Sequence, residues 1–229
     1  ESLRSTIDED TAFVILEPIQ GESGINVAPD GFLQEVRKVC DEKGIILIFD
    51  EIQAGLGRTG RLWACDHWNT APDILCLAKG IAGGVPMGAT LVRPDILASM
   101  SKGEHSSTFG GNPLSCAAGI ATLQALTQDG LIENSEKMGK IFREGLDKLK
   151  EKHTIIREIR GKGLMIGVEL KFEVKDILMN LMKEGVLMLY SGRNILRILP
   201  PLVISKEDIT KVLQTLDAVL TIEEQKNTV

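Results

Sequence analysis

The chain has 229 residues, 43% of them hydrophobic and 25% charged, with a net charge of −6. That apolar content can fill one large core or two modest ones, while the lack of any basic block argues against nucleic acid as a partner. No apolar run reaches the roughly 20 residues that a membrane helix needs, so small molecules are the expected partners. "ESLRSTIDED" has neither the basic start nor the apolar middle of an export signal, and Glu1 in place of Met implies a chain that begins mid-protein or was processed. Cys40, Cys65, Cys76 and Cys116 lack C-x-x-C spacing and read as reduced, core-filling thiols of a cytoplasmic protein. His67, His105 and His153 form no metal-binding pattern, and no metal is expected.

From the amino terminus, "TAFVILEP" is a β-branched apolar run stopped by Glu-Pro, as a buried strand is. A loop with Gly21, Gly24 and Pro29 leads to Asp30, the expected N-cap of a helix whose apolar face is Phe32, Leu33, Val36, Val39 and Cys40 and whose stop is Gly44. "GIILIFD" follows, completing a βαβ unit with parallel strands. "DILCLA" and "MGATLV" are further strands on either side of the Gly-rich "KGIAGGVP". After "STFGGNP", Asn112 caps and Pro113 opens an Ala- and Leu-rich helix. A second helix from Leu131 to about Lys152 lines up Met138, Ile141, Phe142, Leu146 and Leu149.

The remainder reads as strands in "IIREIRGKGLMIGVELK" interrupted by Gly161 and Gly163, a helix near 174–184, strands near 186–190 and 194–199, and a last helix opened by a Ser205–Asp208 capping box. The expected organisation is an α/β sheet region over 1–130 and a smaller α+β domain over 131–229.

"FDEIQAGLGRTG" sets Gly55, Gly57 and Gly60 in the G-x-G-x-x-G spacing of a dinucleotide turn. Such a turn needs its glycines directly between strand and helix, where backbone amides meet a pyrophosphate. Here the strand ends at Asp50, and Asp50–Glu51 puts negative charge where the pyrophosphate belongs. Asp73, a candidate ribose-binding acid, precedes a strand instead of ending one. Glu17 and Asp50 both fall at carboxyl ends of expected parallel strands, the ligand edge of open α/β sheets, although acids there also simply cap loops. Lys79 closes the apolar run "ILCLA" and either snorkels to the surface or is kept for covalent work. Together Lys79 and Asp50 are the amine and carboxylate that pyridoxal phosphate requires, one for a Schiff base and one opposite the ring nitrogen.

"EPIQGESG", "DEIQAGLGRTG", "LAKGIAGGVPMGA", "STFGGNP", "RGKGLMIGVEL" and "LRILPPLVI", in that order over residues 12–222, resemble the class III pyridoxal-phosphate aminotransferases of fold type I. The nearest branch is that of acetylornithine and ornithine aminotransferases, including relatives that act on lysine or ornithine intermediates attached to an amino-group carrier protein. The resemblance implies part of a mainly parallel-sheet large domain, followed by a smaller α+β carboxyl-terminal domain. It makes Lys79 the Schiff-base lysine, Asp50 the partner of the pyridine nitrogen, Gln53 the neighbour of the ring hydroxyl and Glu51 a further cofactor contact. Thr108 matches a residue that reaches the cofactor phosphate of the neighbouring subunit, with Ser107 beside it on the substrate side. Arg197 matches the arginine for a substrate α-carboxylate, Glu22 the acid that masks it, and Glu17 another acid on the substrate side.

The same resemblance implies a homodimer with cofactor sites shared at the interface, a carrier protein as a further partner, and a reaction in arginine or lysine biosynthesis. That reaction moves the terminal amino group of an acetylornithine-, ornithine- or carrier-bound lysine-like donor to 2-oxoglutarate. Two other readings stay open: an aminomutase of the glutamate-semialdehyde type, against which "STFGGNP" and Arg197 speak, and a non-catalytic assembly partner of the same fold. Relatives carry a long segment before the position of Glu1, with a Gly-Thr turn for the cofactor phosphate, an aromatic ring that stacks on the pyridine and a second substrate arginine. The chain is therefore expected to be a carboxyl-terminal portion and, alone, a poor enzyme.

Overall fold

The computed structural model describes residues 2–227. In chain order the elements are α1 (Ser2–Thr6), β1 (Phe13–Leu16), β2 (Ile19–Gln20), β3 (Asn26–Val27), α2 (Phe32–Lys43), β4 (Ile46–Asp50), β5 (Ile74–Leu77), β6 (Ala89–Val92), α3 (Pro94–Leu97), α4 (Pro113–Gln128), α5 (Leu131–Lys152), β7 (Ile156–Lys162), β8 (Met165–Leu170), α6 (Lys175–Lys183), β9 (Leu189–Ser191), β10 (Ile195–Ile198) and α7 (Lys206–Asn227). They form two compact units. The first takes the chain to Pro18, then Ala28–Leu56 and Leu62–Asp129; the second takes Ile19–Val27, Gly57–Arg61 and the chain from Gly130 on. Two short stretches that the sequence placed with the first region thus pack with the second.

The first unit is built on a sheet in the order β1-β4-β5-β6. β1, β4 and β5 are parallel and β6 is antiparallel. Alternation along the strands puts Leu47, Phe49, Leu75 and Leu77 on one buried face, with Leu33, Val36, Val39 and Cys40 of α2 also buried. Each such side chain contributes about 1.5–3 kcal/mol on leaving water. Ile46, Ile48, Asp50, Ile74 and Cys76 occupy the opposite, half-buried face.

Asp30 is not the cap of α2. Gly31 takes that position at φ +81° without any side-chain cap, so the helix is opened by a left-handed turn and exposed Asp30 stays outside it. Phe32 is correspondingly turned toward solvent. Buried Asp73 accepts hydrogen bonds from the Leu47 amide at 2.7 Å, Arg37 at 2.8 Å and Arg93 at 2.6 Å, which makes it a staple between strands and not an acid offered to a ligand. All four cysteines are free; Cys40 and Cys65 fill the core, whereas Cys76 and Cys116 are only half buried.

The second unit has an antiparallel sheet in the order β7-β8-β10-β9, with the β2–β3 hairpin in the same unit. Its core joins Phe142 and Leu146 of α5, Ile166 of β8, Leu196 of β10 and Ile209 and Leu216 of α7. The capping box of α7 is formed: Asp208 N–H donates to Ser205 Oγ and Ser205 N–H to Asp208 Oδ2, each at 3.1 Å. Gly161 lies inside β7, where a Cβ would stand 2.0 Å from the Met165 carbonyl oxygen, and Gly163 falls between β7 and β8. The expected strand near 186–190 begins only at Leu189. Beyond α5, buried His153 places its ring nitrogens 2.6 Å from Asp217 and 2.9 Å from Glu224, tying the end of α5 to α7.

Candidate active site

β4 and β5 are neighbours and parallel, so their carboxyl ends emerge side by side: Asp50 is the last residue of β4, and Lys79 lies two residues past the end of β5. The Asp50 carboxylate is held by the Ile52 amide, which donates to Oδ1 at 3.0 Å. Lys79 has φ +48°, a left-handed conformation that is rare outside glycine and costs on the order of 1 kcal/mol or more. Its side chain is exposed. A strained backbone holding an exposed amine at the ligand edge of a parallel sheet fits a reactive group better than a packing one. Half-buried Gln53 follows Asp50 in the turn, and half-buried Glu17 stands one residue past the end of β1.

Glu51 departs from its expected role. It is fully buried, and its two carboxylate oxygens accept the Ala64 and Cys65 amides at 2.6 and 2.7 Å. Those amides open the short helical turn Ala64–Trp68, so Glu51 fastens the long loop after β4 and is closed to a cofactor. Burial pushes its carboxyl above the usual carboxylate range, and the two amides pull the other way.

Ser107 and Thr108 lie in an exposed loop before α4. Ser107 Oγ accepts the Gly110 amide at 3.0 Å, and Asn112 caps α4 through the Ser115 amide at 3.0 Å, as its sequence implies. Gly111, at φ +68°, has nothing near the place a Cβ would take.

In the second unit Arg197 sits on β10 with 8% of its side chain exposed and meets Glu22 Oε1 at 2.8 Å; Glu22, in the β2–β3 turn, is 70% exposed. The Ser191 hydroxyl donates to the Glu22 carbonyl and holds that turn. A buried guanidinium needs an anion, and here the anion rides on an exposed side chain.

The glycines of "GLGRTG" serve a different end. Leu164 N–H at 3.0 Å and the Ser135 hydroxyl at 2.9 Å both donate to the Arg58 carbonyl, while the Arg58 guanidinium donates to the carbonyl of Pro200. Burial pulls that guanidinium down to about 10. A Cβ on Gly60 would stand 2.9 Å from Glu136 Cβ, and one on Gly163 would stand 2.4 Å from the Thr59 carbonyl carbon. These backbones touch one another, which leaves no cradle for a pyrophosphate. Sequence reading missed this packing, although the paired glycines of "RGKG" carried its signal.

The strand-end pair fits pyridoxal phosphate: an accessible amine for its aldehyde and a carboxylate for its ring nitrogen. Among the described residues no His, Cys, Asp and Glu cluster could hold a metal, and no helix is long and apolar enough to cross a membrane. The profile of the family described as Aminotransferase class-III matches residues 1–220. The acetylornithine aminotransferase of Caldanaerobacter subterraneus is 47% identical over 221 residues, covering 96% of this chain and 56% of that protein. That of Methanocaldococcus jannaschii is 45% identical over 223 residues, with the same two coverages.

Among solved structures, an ornithine aminotransferase from Toxoplasma gondii, with partial occupancy of PLP at its active site, superposes with a TM-score of 0.90 at 38% identity, over 94% of this chain and 52% of that one. Acetylornithine aminotransferase from Elizabethkingia anophelis gives 0.91 at 36% identity, over 96% and 59%. The chain spans about half the length of the curated relatives it matches. With the strand-end lysine and aspartate, the family profile and these superpositions in agreement, the chain belongs to the class III aminotransferases, a pyridoxal-phosphate-dependent family of the fold type I architecture.

Proposed function

We propose that the protein to which this chain belongs moves the terminal amino group of an acetylornithine- or ornithine-like donor to 2-oxoglutarate, giving a semialdehyde and glutamate, with a carrier-bound lysine-like compound as a third donor class. The observation that carries this reading is the pairing of Asp50 and Lys79 at adjacent parallel strand ends, with Lys79 held at φ +48°. When bound, pyridoxal phosphate supplies an electron sink for bond breaking at the amine-bearing carbon. Lys79 Nζ anchors the cofactor and, once released, takes the proton from that carbon and returns it. Asp50 keeps a proton on the ring nitrogen, Gln53 meets the ring hydroxyl, and Thr108 meets a phosphate across a dimer of cytoplasmic subunits. Arg197 grips the α-carboxylate of 2-oxoglutarate or glutamate, Glu22 takes its place when the donor lies in the site, and Ser107 and Glu17 orient the substrate.

The test is turnover of the full-length protein on a panel of donors, with and without 2-oxoglutarate. Glutamate formation that depends on the acceptor is expected. Acceptor-independent isomerisation would instead identify an aminomutase, and no turnover on any donor would favour a non-catalytic partner.

A further inference from the structure

The second unit's sheet holds two arginines in one row with a glycine between them: Gly167 of β8 pairs with Arg160 of β7 on one side and with Arg197 of β10 on the other. Directly paired residues share a face, so both arginines flank the gap that Gly167 leaves. The β2–β3 turn rests in that gap, since a Cβ on Gly167 would stand 3.1 Å from Ile25 Cβ and 3.2 Å from the Gly24 carbonyl oxygen. Each arginine takes one oxygen of the turn. Arg197 Nη1 donates to Glu22 Oε1 and Arg160 Nε donates to the Gly24 carbonyl, both at 2.8 Å. From β9, the buried Ser191 hydroxyl donates to the Glu22 carbonyl. Fully buried Ile25 has φ +57°, a strained value for a β-branched residue that persists only where its surroundings impose it. Arg160 differs from Arg197 in its charge partners: Nη1 meets Glu158 and Glu169, each at 2.8 Å. Its charge is answered within the sheet, and its Nε holds the turn.

We propose that Arg160 and Ser191 are positioning residues for Glu22. They fix the turn's backbone at Gly24 and at Glu22 itself, so an incoming carboxylate displaces only the exposed Glu22 side chain, which then returns to Arg197 in one geometry. The strength of this clamp sets the balance between the two substrates. A firm turn keeps Arg197 covered for the donor; a loose one leaves Arg197 to the acceptor's carboxylate. The inference rests on the reading of Arg197 and Glu22 as the substrate switch.

The experiment is steady-state kinetics of the full-length holoenzyme with acetylornithine or ornithine as donor and 2-oxoglutarate as acceptor. Wild type is compared with Arg160→Gln, Arg160→Lys, Ser191→Ala, Glu22→Gln and the double variant Glu22→Gln/Arg160→Gln. Loss of one hydrogen bond to the turn predicts that Arg160→Gln lowers both the KM for 2-oxoglutarate and the donor kcat/KM, each about threefold. Ser191→Ala shifts both in the same directions, and Arg160→Lys, which keeps a donor, lies nearer wild type. In the Glu22→Gln background Arg160→Gln changes neither constant further, because its effect passes through Glu22. Ser191→Ala removes a single oxygen and carries the same test if the Arg160 variants do not fold. Unchanged constants in Arg160→Gln and Ser191→Ala, equal losses of kcat/KM for both substrates, or the same shift with Glu22 already replaced would overturn the positioning role and leave the switch intact. A Glu22→Gln enzyme with both constants at wild-type values would overturn the switch itself, and the inference with it.

Discussion

Two glycine-rich loops of this chain look alike in sequence and behave in opposite ways. In "GLGRTG", Gly60 is pressed against Glu136 and the Thr59 backbone against Gly163, so glycine is there because nothing larger fits. In "STFGGNP", Gly111 has open space around it and Phe109 is 82% exposed, so glycine is there for its left-handed φ of +68° and not for want of room. The first loop is part of a core, and the second is exposed surface. Composition and spacing do not separate the two cases; the distance to the nearest backbone does.

The sharpest way to break this contrast is a pair of alanine substitutions in the full-length protein, compared by urea unfolding. Gly163→Ala places a Cβ 2.4 Å from the Thr59 backbone at φ +52° and is expected to cost about 3 kcal/mol or more. Gly111→Ala meets only the backbone penalty of its φ and is expected to cost about 1 kcal/mol. Equal losses would contradict the division. Glu51→Gln comes next: it weakens two buried charge-assisted hydrogen bonds on the packed side of the long loop, for about 1–3 kcal/mol in the same assay.

Thr108→Ala tests the open loop from the other direction. Stability is expected to stay within about 0.5 kcal/mol of wild type, because Thr108 is exposed, while affinity for pyridoxal phosphate falls about tenfold. A stability loss without an affinity loss would move Thr108 to the packed class. The smallest effect concerns pH. Hydrogen bonds from Lys152 and then His153 hold the Asp217 carboxyl below the usual carboxylate range. Its folded value lies beneath its unfolded one, so its stabilising contribution is complete above about pH 4 and is lost as pH falls through the folded value. Asp217→Asn should flatten that acid limb in unfolding measured against pH.

Legibility followed the range of the interactions. The βαβ unit, the Asn112 cap, the Ser205–Asp208 box and the strand ends carrying Asp50 and Lys79 depend on neighbours close in sequence, and each stood in the pattern of apolar residues and caps. The cap of α2 was misread because Asp30 and Gly31 both suit a turn, and only the actual φ of Gly31 decides between them. Long-range packing was harder to read: nothing in "DEIQAGLGRTG" itself says that Glu51 holds Ala64 and Cys65, and the packing of Gly57–Arg61 with the second unit was signalled only by the distant glycines of "RGKG". The roles of Arg197 and Thr108 came through resemblance, whereas Lys79, open by itself between surface and covalent work, gained its role from the residues once Asp50 stood at a neighbouring strand end.

The central claim is that Lys79 is the covalent anchor of pyridoxal phosphate. Borohydride reduction of the full-length protein loaded with the cofactor, followed by peptide mass spectrometry, tests it most directly. The account predicts a pyridoxyl-phosphate modification on the peptide containing Lys79 and its disappearance in Lys79→Ala. Modification confined to another lysine, or none at all in a protein saturated with cofactor, would contradict it.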